Sequence, residues 1–244
     1  MSTIATLSPP AFEVLWEDLR AGSVPYPFDI PPHGATLDER ARIRADAHTD
    51  LERRGLARRG RPEPDLEDAL RLLADPETAI TVLGVPDVAK DDLLRALVAA
   101  RGRYAVLAVQ GPDGVRLDLL RDVGLAQAAV SVLPPRPPGP GRPVTVPASA
   151  LQPQPRQGFR QTVRGGNDDV RVLREMLAGP ITGTGHLTAT PRRRPDRPAP
   201  PAVTWIDTPR GRYASMGTDW LTVAPADHGG LVRRLSQALA PTAR

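Results

Sequence analysis

The sequence predicts an α+β protein of two related halves, each reading helix, β-meander, helix, around a central, mostly antiparallel sheet. Three observations carry this. The pentapeptide RGRYA occurs at residues 101–105 and again at 210–214. Each copy is followed by a turn with Gly and Asp (Pro112, Asp113, Gly114; Gly217, Thr218, Asp219), a short apolar segment (115–120; 220–224) and a candidate amphipathic helix. Those helices run out at Leu-Pro-Pro (133–135) and Leu-Ala-Pro (239–241). The third observation is the proline-rich run PPRPPGPGRP at 134–143, which reads as a stiff connector joining halves 1–133 and 144–244 of one domain, 1–244. A PxxP ligand is the weaker reading of that run. The copies lie too far apart for a stacked solenoid, whose units are roughly 20–50 residues. Two halves so related offer a groove or shared sheet between them, and function is expected there. Both copies of RGRYA are expected at equivalent strand starts.

The elements follow in order. Ser8 caps a first helix whose opening turn takes Pro9 and Pro10, with Phe12, Leu15, Trp16 and Leu19 on one face. An extended stretch, 24–32, follows. Thr36 and Glu39 form a T-x-x-E capping pattern that opens a second helix ending near Gly55. Its thin stripe, Ile43, Ala47 and Leu51, places it at the surface. A third helix from Asp65 buries Leu66, Ala69, Leu70 and Leu73 and stops before Pro76. Residues 78–85, 93–101, 104–110 and 115–120 read as strands, although 93–101 fits a helical period too. Helical spacing returns over 123–133. In the second half, 144–146 is an edge strand and 147–166 a mobile loop. Asn167 caps a helix carrying Val170, Leu173 and Leu177. Strands follow at 184–190, 202–207, 212–216 and 220–224, with an exposed loop at 191–201. The last helix aligns Leu231, Val232, Leu235 and Leu239.

Composition bounds the function. With 244 residues, 40% of them hydrophobic, the chain can bury a real core. The formal net charge is only +4, and Lys90 is the single lysine among 32 basic residues. Arginine, alanine and proline in excess with lysine nearly absent point to a GC-rich genome more than to selection for phosphate binding. No cysteine is present, which excludes disulfides and thiolate chemistry. No leader or membrane-spanning stretch is legible, so a soluble, cytoplasmic protein is expected. His33, His48, His186 and His228 show no metal-ligand spacing, and no G-x-S-x-G elbow occurs. The run GPITGTG at 179–185 lacks the Lys-Ser/Thr of a phosphate loop and leads into a strand. The paired acids Asp91–Asp92 and Asp168–Asp169 are expected at helix starts, where carboxylates complement the helix dipole. No enzyme, metal or cofactor is predicted. Arginines cluster at Arg53, Arg54, Arg58, Arg59 and Arg61 and again at Arg192, Arg193, Arg194 and Arg197. A basic nucleic-acid-binding module is therefore the alternative, but neither cluster is interleaved with aromatics that could stack on bases.

Several segments together resemble the EspG family of ESX (type VII) secretion-associated proteins. They are LSPPAFEVLWEDL from Leu7, FDIPPHGATLDERARI from Phe28, ALRLLADPE from Ala69, DTPRGRY from Asp207 and WLTVAPAD from Trp220. Their order covers essentially the whole chain. The resemblance implies a mixed fold with quasi-twofold halves and a cytoplasmic, non-enzymatic chaperone or adaptor. Such a protein holds helical secretion substrates, typically PE–PPE heterodimers, by the apolar tip of the helical bundle and keeps them competent for export. Another small helical ESX substrate is the alternative client. No short motif of the family marks its contact residues. Candidates for partner contact are Asp168, Arg171, Arg174 and Trp205, chosen for expected exposure beside the second-half sheet; Trp205 fits a core position better.

Overall fold

The computed structural model describes residues 1–90, 92–151, 166–191 and 200–240. The elements, in order, are β1 (Ser2–Leu7), α1 (Pro9–Asp18), α2 (Leu37–Arg53), β2 (Ala57–Arg58), β3 (Arg61–Pro62), α3 (Pro64–Ala74), β4 (Thr78–Val85), β5 (Leu94–Arg101), β6 (Tyr104–Gly111) and β7 (Gly114–Leu119). There follow α4 (Leu125–Ser131), β8 (Val144–Pro147), a 3-10 turn (Ala148–Leu151), α5 (Gly166–Met176), β9 (Gly183–Pro191), β10 (Val203–Thr208), β11 (Gly211–Gly217), β12 (Trp220–Pro225) and α6 (His228–Leu239). Ten strands make one sheet in the order β1-β7-β6-β5-β4-β9-β10-β11-β12-β8, while β2 and β3 form a separate hairpin. The fold class is thus α+β, and 93–101 resolves as a strand. Among the described residues, no helix is long and apolar enough to cross a membrane.

The chain divides into two compact units. The first comprises chiefly Met1–Leu83 and Leu94–Val132. Its core joins the inner face of α1 to the leucines of α3 and to Val106, Ala108, Val115 and Leu117 of β6 and β7. Phe12 stacks on Trp16 at 5.2 Å between ring centroids, and the Trp16 indole donates to the carbonyl of Gly22 at 2.9 Å. Ser8 caps α1 by accepting from the amide of Ala11. Thr36 caps α2 through the amide of Glu39, whose carboxylate reaches back to the amide of Ala35 at 2.9 Å, one residue before the cap.

Only Ala47 and Leu51 of α2 are buried, so apolar packing alone holds this helix weakly. Charge supplies the rest. Along the α1–α2 seam, His33 and Arg40 meet Glu13 at 2.6 and 3.2 Å, and Arg40 and Arg44 both engage Glu17. Arg44 and His48 then share Asp18. Burial alone would raise the Glu13 carboxyl, but hydrogen bonds from the His33 ring and amide and the charge of Arg40 outweigh it and hold the group below its ordinary 4.5. A depressed folded-state pKa contributes stability that is present above the unfolded value and lost as pH falls through the folded one. Glu13→Gln is therefore expected to melt roughly 2–4 °C lower near neutral pH, for about 1 kcal/mol of lost charged hydrogen bonding. The gap between the two proteins should close as the medium is taken below pH ~4. Melting curves recorded across that range check both statements.

The second unit comprises chiefly Gly84–Leu93, Leu133–Ala189 and the chain from Pro198 onward. Here α5 lays Leu173 and Met176 against Val144 and Val146 of β8 and against Tyr213 and Val223, and α6 packs on β10. As expected, β8 lies at a sheet edge.

Several expectations need correction. The strand β1 and the hairpin β2–β3 carry too little pattern to be read, so the N-terminal half does not begin with a helix. Asn167 lies within α5, which already starts at Gly166. Asp92 leads into the strand β5, so it complements no helix dipole, whereas Asp168 and Asp169 do occupy a first helical turn. The loop expected at 147–166 opens with the 3-10 turn, and its remainder, like Arg192, Arg193, Arg194 and Arg197, lies outside the described residues.

The two copies of RGRYA are not equivalent. In the first, Arg101 pairs with Tyr104 and the hairpin turns at Gly102 and Arg103, with Gly102 at φ 57°. In the second, Thr208 pairs with Gly211, so the turn falls at Pro209 and Arg210, two residues earlier in the motif. Proline sets the φ that the first corner of such a turn needs, and the Thr208 hydroxyl accepts from the Arg210 amide at 3.2 Å to complete it. The consequence is large. Tyr104 is 70% exposed, while Tyr213 and Arg212 are fully buried.

Candidate functional site

The second copy builds a buried hub. Arg212 and Asp207 face each other across the β10–β11 hairpin, both at 0% side-chain exposure. The guanidinium donates to both carboxylate oxygens, Nε at 2.6 Å and Nη2 at 2.8 Å. That fork geometry is the one in which arginine binds carboxylate best. Arg212 also donates to the carbonyl of Pro134 at 3.0 Å, and its backbone exchanges bonds with Pro137 and Gly139. Tyr213 donates to the carbonyl of Pro140 at 3.1 Å. Gly139 lies so close to the Tyr213 ring that a side chain there would overlap it. The proline-rich connector is therefore pinned along β11 and is not a free spacer.

From this hub a short relay reaches the surface. The carbonyl of Asp207 accepts from the amide of Thr182 at 2.8 Å, and the carbonyl of Thr182 accepts from Val88 at 2.8 Å. Pro86 closes on Gly183 so tightly that no Cβ fits. Asp87 folds the backbone after Pro86 by accepting from the amide of Ala89 at 3.1 Å, an Asx turn. The result holds two apolar side chains in solvent on neighbouring backbone, Val88 at 52% and Ile181 at 48% exposure, with Leu93 (42%) just before β5. Both are branched apolar side chains held out on a constrained backbone. Trp220, 62% exposed at the start of β12, is a further apolar anchor in the same unit. Leu93 and Trp220 begin segments that the pattern already marks as strands, whereas Val88 and Ile181 stand in loops, where no repeat is defined.

The sequence-predicted contacts fare differently. On α5, Arg171 binds Asp168 at 2.7 Å and Glu175 at 2.6 Å. Arg142 from the pinned connector meets Asp168 at 3.0 Å and Asp169 at 2.7 Å. The Arg171 hydrogen bond, then its charge, together with Arg142 hold the Asp168 carboxyl below its usual range. The helix C-terminus is closed by Arg210, which donates to the carbonyl of Glu175 at 2.7 Å. Arg174 is exposed. These three candidates share one solvated, charged face of α5. Trp205 is fully buried, with Thr184 donating to its carbonyl, so it is core and cannot touch a partner.

The histidines are all engaged. Each histidine has a structural partner: His33 on Glu13, His48 on Asp18, His186 on Thr204 and His228 on the carbonyl of Pro134. Among the described residues, no group of three or more His, Asp or Glu could hold a metal ion. A cleft of about 260 Å³ between α1 and α2 is lined by Glu13, Glu17, His33, Arg40 and Arg44. Those charges are spent on one another, and none is poised over an open position.

The EspG family model matches residues 8–237. No curated protein matches the chain at a significant level. Among solved structures, the chain is similar to the Mycobacterium tuberculosis type VII secretion system chaperone EspG5, determined in complex with a PE25–PPE41 dimer. The TM-score is 0.67 over 98% of each chain, at 14% identity, which establishes a common fold.

Proposed function

Since the chain belongs to the EspG family, we propose that it is a non-enzymatic cytoplasmic chaperone of type VII secretion. Its client is a helical secretion substrate, a PE–PPE-like heterodimer or another small helical ESX protein. It covers the apolar tip of that client, prevents its self-association and keeps it competent for export. What carries the reading is the full-length match to a chaperone fold captured with such a dimer. The rigid apolar pair Val88 and Ile181 supplies the matching chemistry, because exposed apolar residues at a helical tip are best hidden against a preformed apolar surface.

The test is purification of the tagged chain from its own host. A helical client should be retained in stoichiometric amount, and the double variant Val88→Asp, Ile181→Asp should lose it while melting as the parent does. Replacing Arg174 by alanine should leave retention unchanged. A parent chain that always emerges client-free would contradict the proposal, and so would a double variant that retains its client.

A further inference from the structure

We propose that Arg58, Arg59 and Arg61, presented by the β2–β3 hairpin, form a docking point for a short acidic polypeptide segment. This surface lies in the first unit and does not depend on the client reading. All three side chains are exposed, and none has an ion-pair or hydrogen-bond partner among the described residues. Their neighbours Arg53 and Arg54 are instead both committed to Asp50.

The hairpin is firmly mounted. Ala57 is 5% exposed, and the amides of Leu56 and Glu63 bond to the carbonyls of Leu51 and Leu56 at 2.8 and 2.9 Å. Glu52 accepts from the amide of Gly60 at 3.0 Å. Local stability would choose other residues at the tip. Arg58 stands directly across from Arg61, a like-charge pair that weakens a hairpin. Arg59 sits at φ 52°, a conformation natural to glycine or asparagine. Sequence that breaks local rules on a well-anchored element marks a place where function outweighs stability.

The surroundings select the partner. Acidic residues flank the tip in sequence, chiefly on its C-terminal side: Glu52 before it and Glu63, Asp65 and Asp68 after it, while Asp50 is neutralised by Arg53 and Arg54. An extended polyanion, such as duplex nucleic acid or an anionic membrane, would be repelled by those flanks. No aromatic is at hand to stack on a base. A short run of Asp and Glu can touch the three forks alone, and guanidinium binds carboxylate bidentately.

The experiment uses the full chain and a fluorescein-labelled peptide of about eight Asp and Glu residues, followed by anisotropy at ~50 and ~200 mM salt. Three proteins are compared with the parent: Arg58→Ala/Arg59→Ala/Arg61→Ala, the charge-matched control Arg42→Ala/Arg103→Ala/Arg121→Ala, and Arg59→Gly. The hairpin triple variant should bind about tenfold more weakly and the control within about twofold of the parent. Arg59→Gly should weaken binding while holding or raising the melting temperature, which a merely structural role would not produce. Equal losses in the two triple variants would overturn the proposal, because net charge alone would then explain the binding. Absence of peptide binding at ~50 mM salt would also overturn it, as would duplex DNA or anionic vesicles binding as tightly as the peptide.

Discussion

Arg212→Met is expected to be among the most destabilising single changes in this chain. It leaves the Asp207 carboxylate fully buried with no cation, and breaking a buried pair from one side costs about 3–5 kcal/mol. It also frees the carbonyl of Pro134, so the proline-rich connector should loosen from β11. Adding Asp207→Leu removes the stranded charge. The double variant should regain much of the stability in urea unfolding, because apolar residues of similar volume often replace a buried ion pair at little cost. A single variant as stable as the parent would mean that the hub does not hold the unit together. Thr182, which in turn holds Val88, bonds to the backbone carbonyl of residue 207, and Asp207→Leu keeps that carbonyl, so the double variant should bind its client as well as its stability allows.

Gly84→Val should be comparably severe, for a steric reason. A Cβ at Gly84 would overlap the Cα of Gly185 and the carbonyl of Thr184, and it would come within 2.8 Å of the Trp205 ring. Two of those obstacles are backbone and cannot rotate away. Overpacking of this kind costs typically 1–3 kcal/mol and more where the backbone must shift. Trimming the ring with Trp205→Leu should therefore fail to rescue the variant. Thermal melts and near-ultraviolet circular dichroism check this; recovery on trimming would locate the clash in the side chain instead.

Much of the fold was legible because the chain spells it in local chemistry. Ser8 with Pro9 and Pro10, and Thr36 with Glu39, announce helix starts that the structure honours. The strands β4, β6 and β12 follow runs bounded by Gly, Pro and Asp. The short elements were not legible. The two-residue strands β2 and β3 have no period to detect, and β1 is defined by its pairing with β7 rather than by its own pattern. The pentapeptide repeat misled for a related reason. Identical residues took different places in their hairpins because Pro209 moved the second turn, and turn chemistry outranks strand identity in fixing register.

The site was less legible than the fold. Charged helix residues such as Asp168 and Arg171 looked available, yet they are mutually paired on a solvated face. Trp205, which already fitted a core position better than a contact one, is fully buried. Among the residues that present apolar surface, Val88 and Ile181 stand in loops, and the backbone of Val88 is held by Thr182, which is distant in sequence. No reading of neighbouring residues could supply that.

The most direct test of the chaperone reading is the salt dependence of the complex with the isolated helical client. Burial of apolar surface predicts an affinity that changes by less than about threefold between ~50 and ~200 mM salt, and unchanged binding when duplex DNA is added in excess. A loss of about 10³-fold over that range, or displacement of the client by DNA, would mean that phosphate-type electrostatics dominate and would contradict the account.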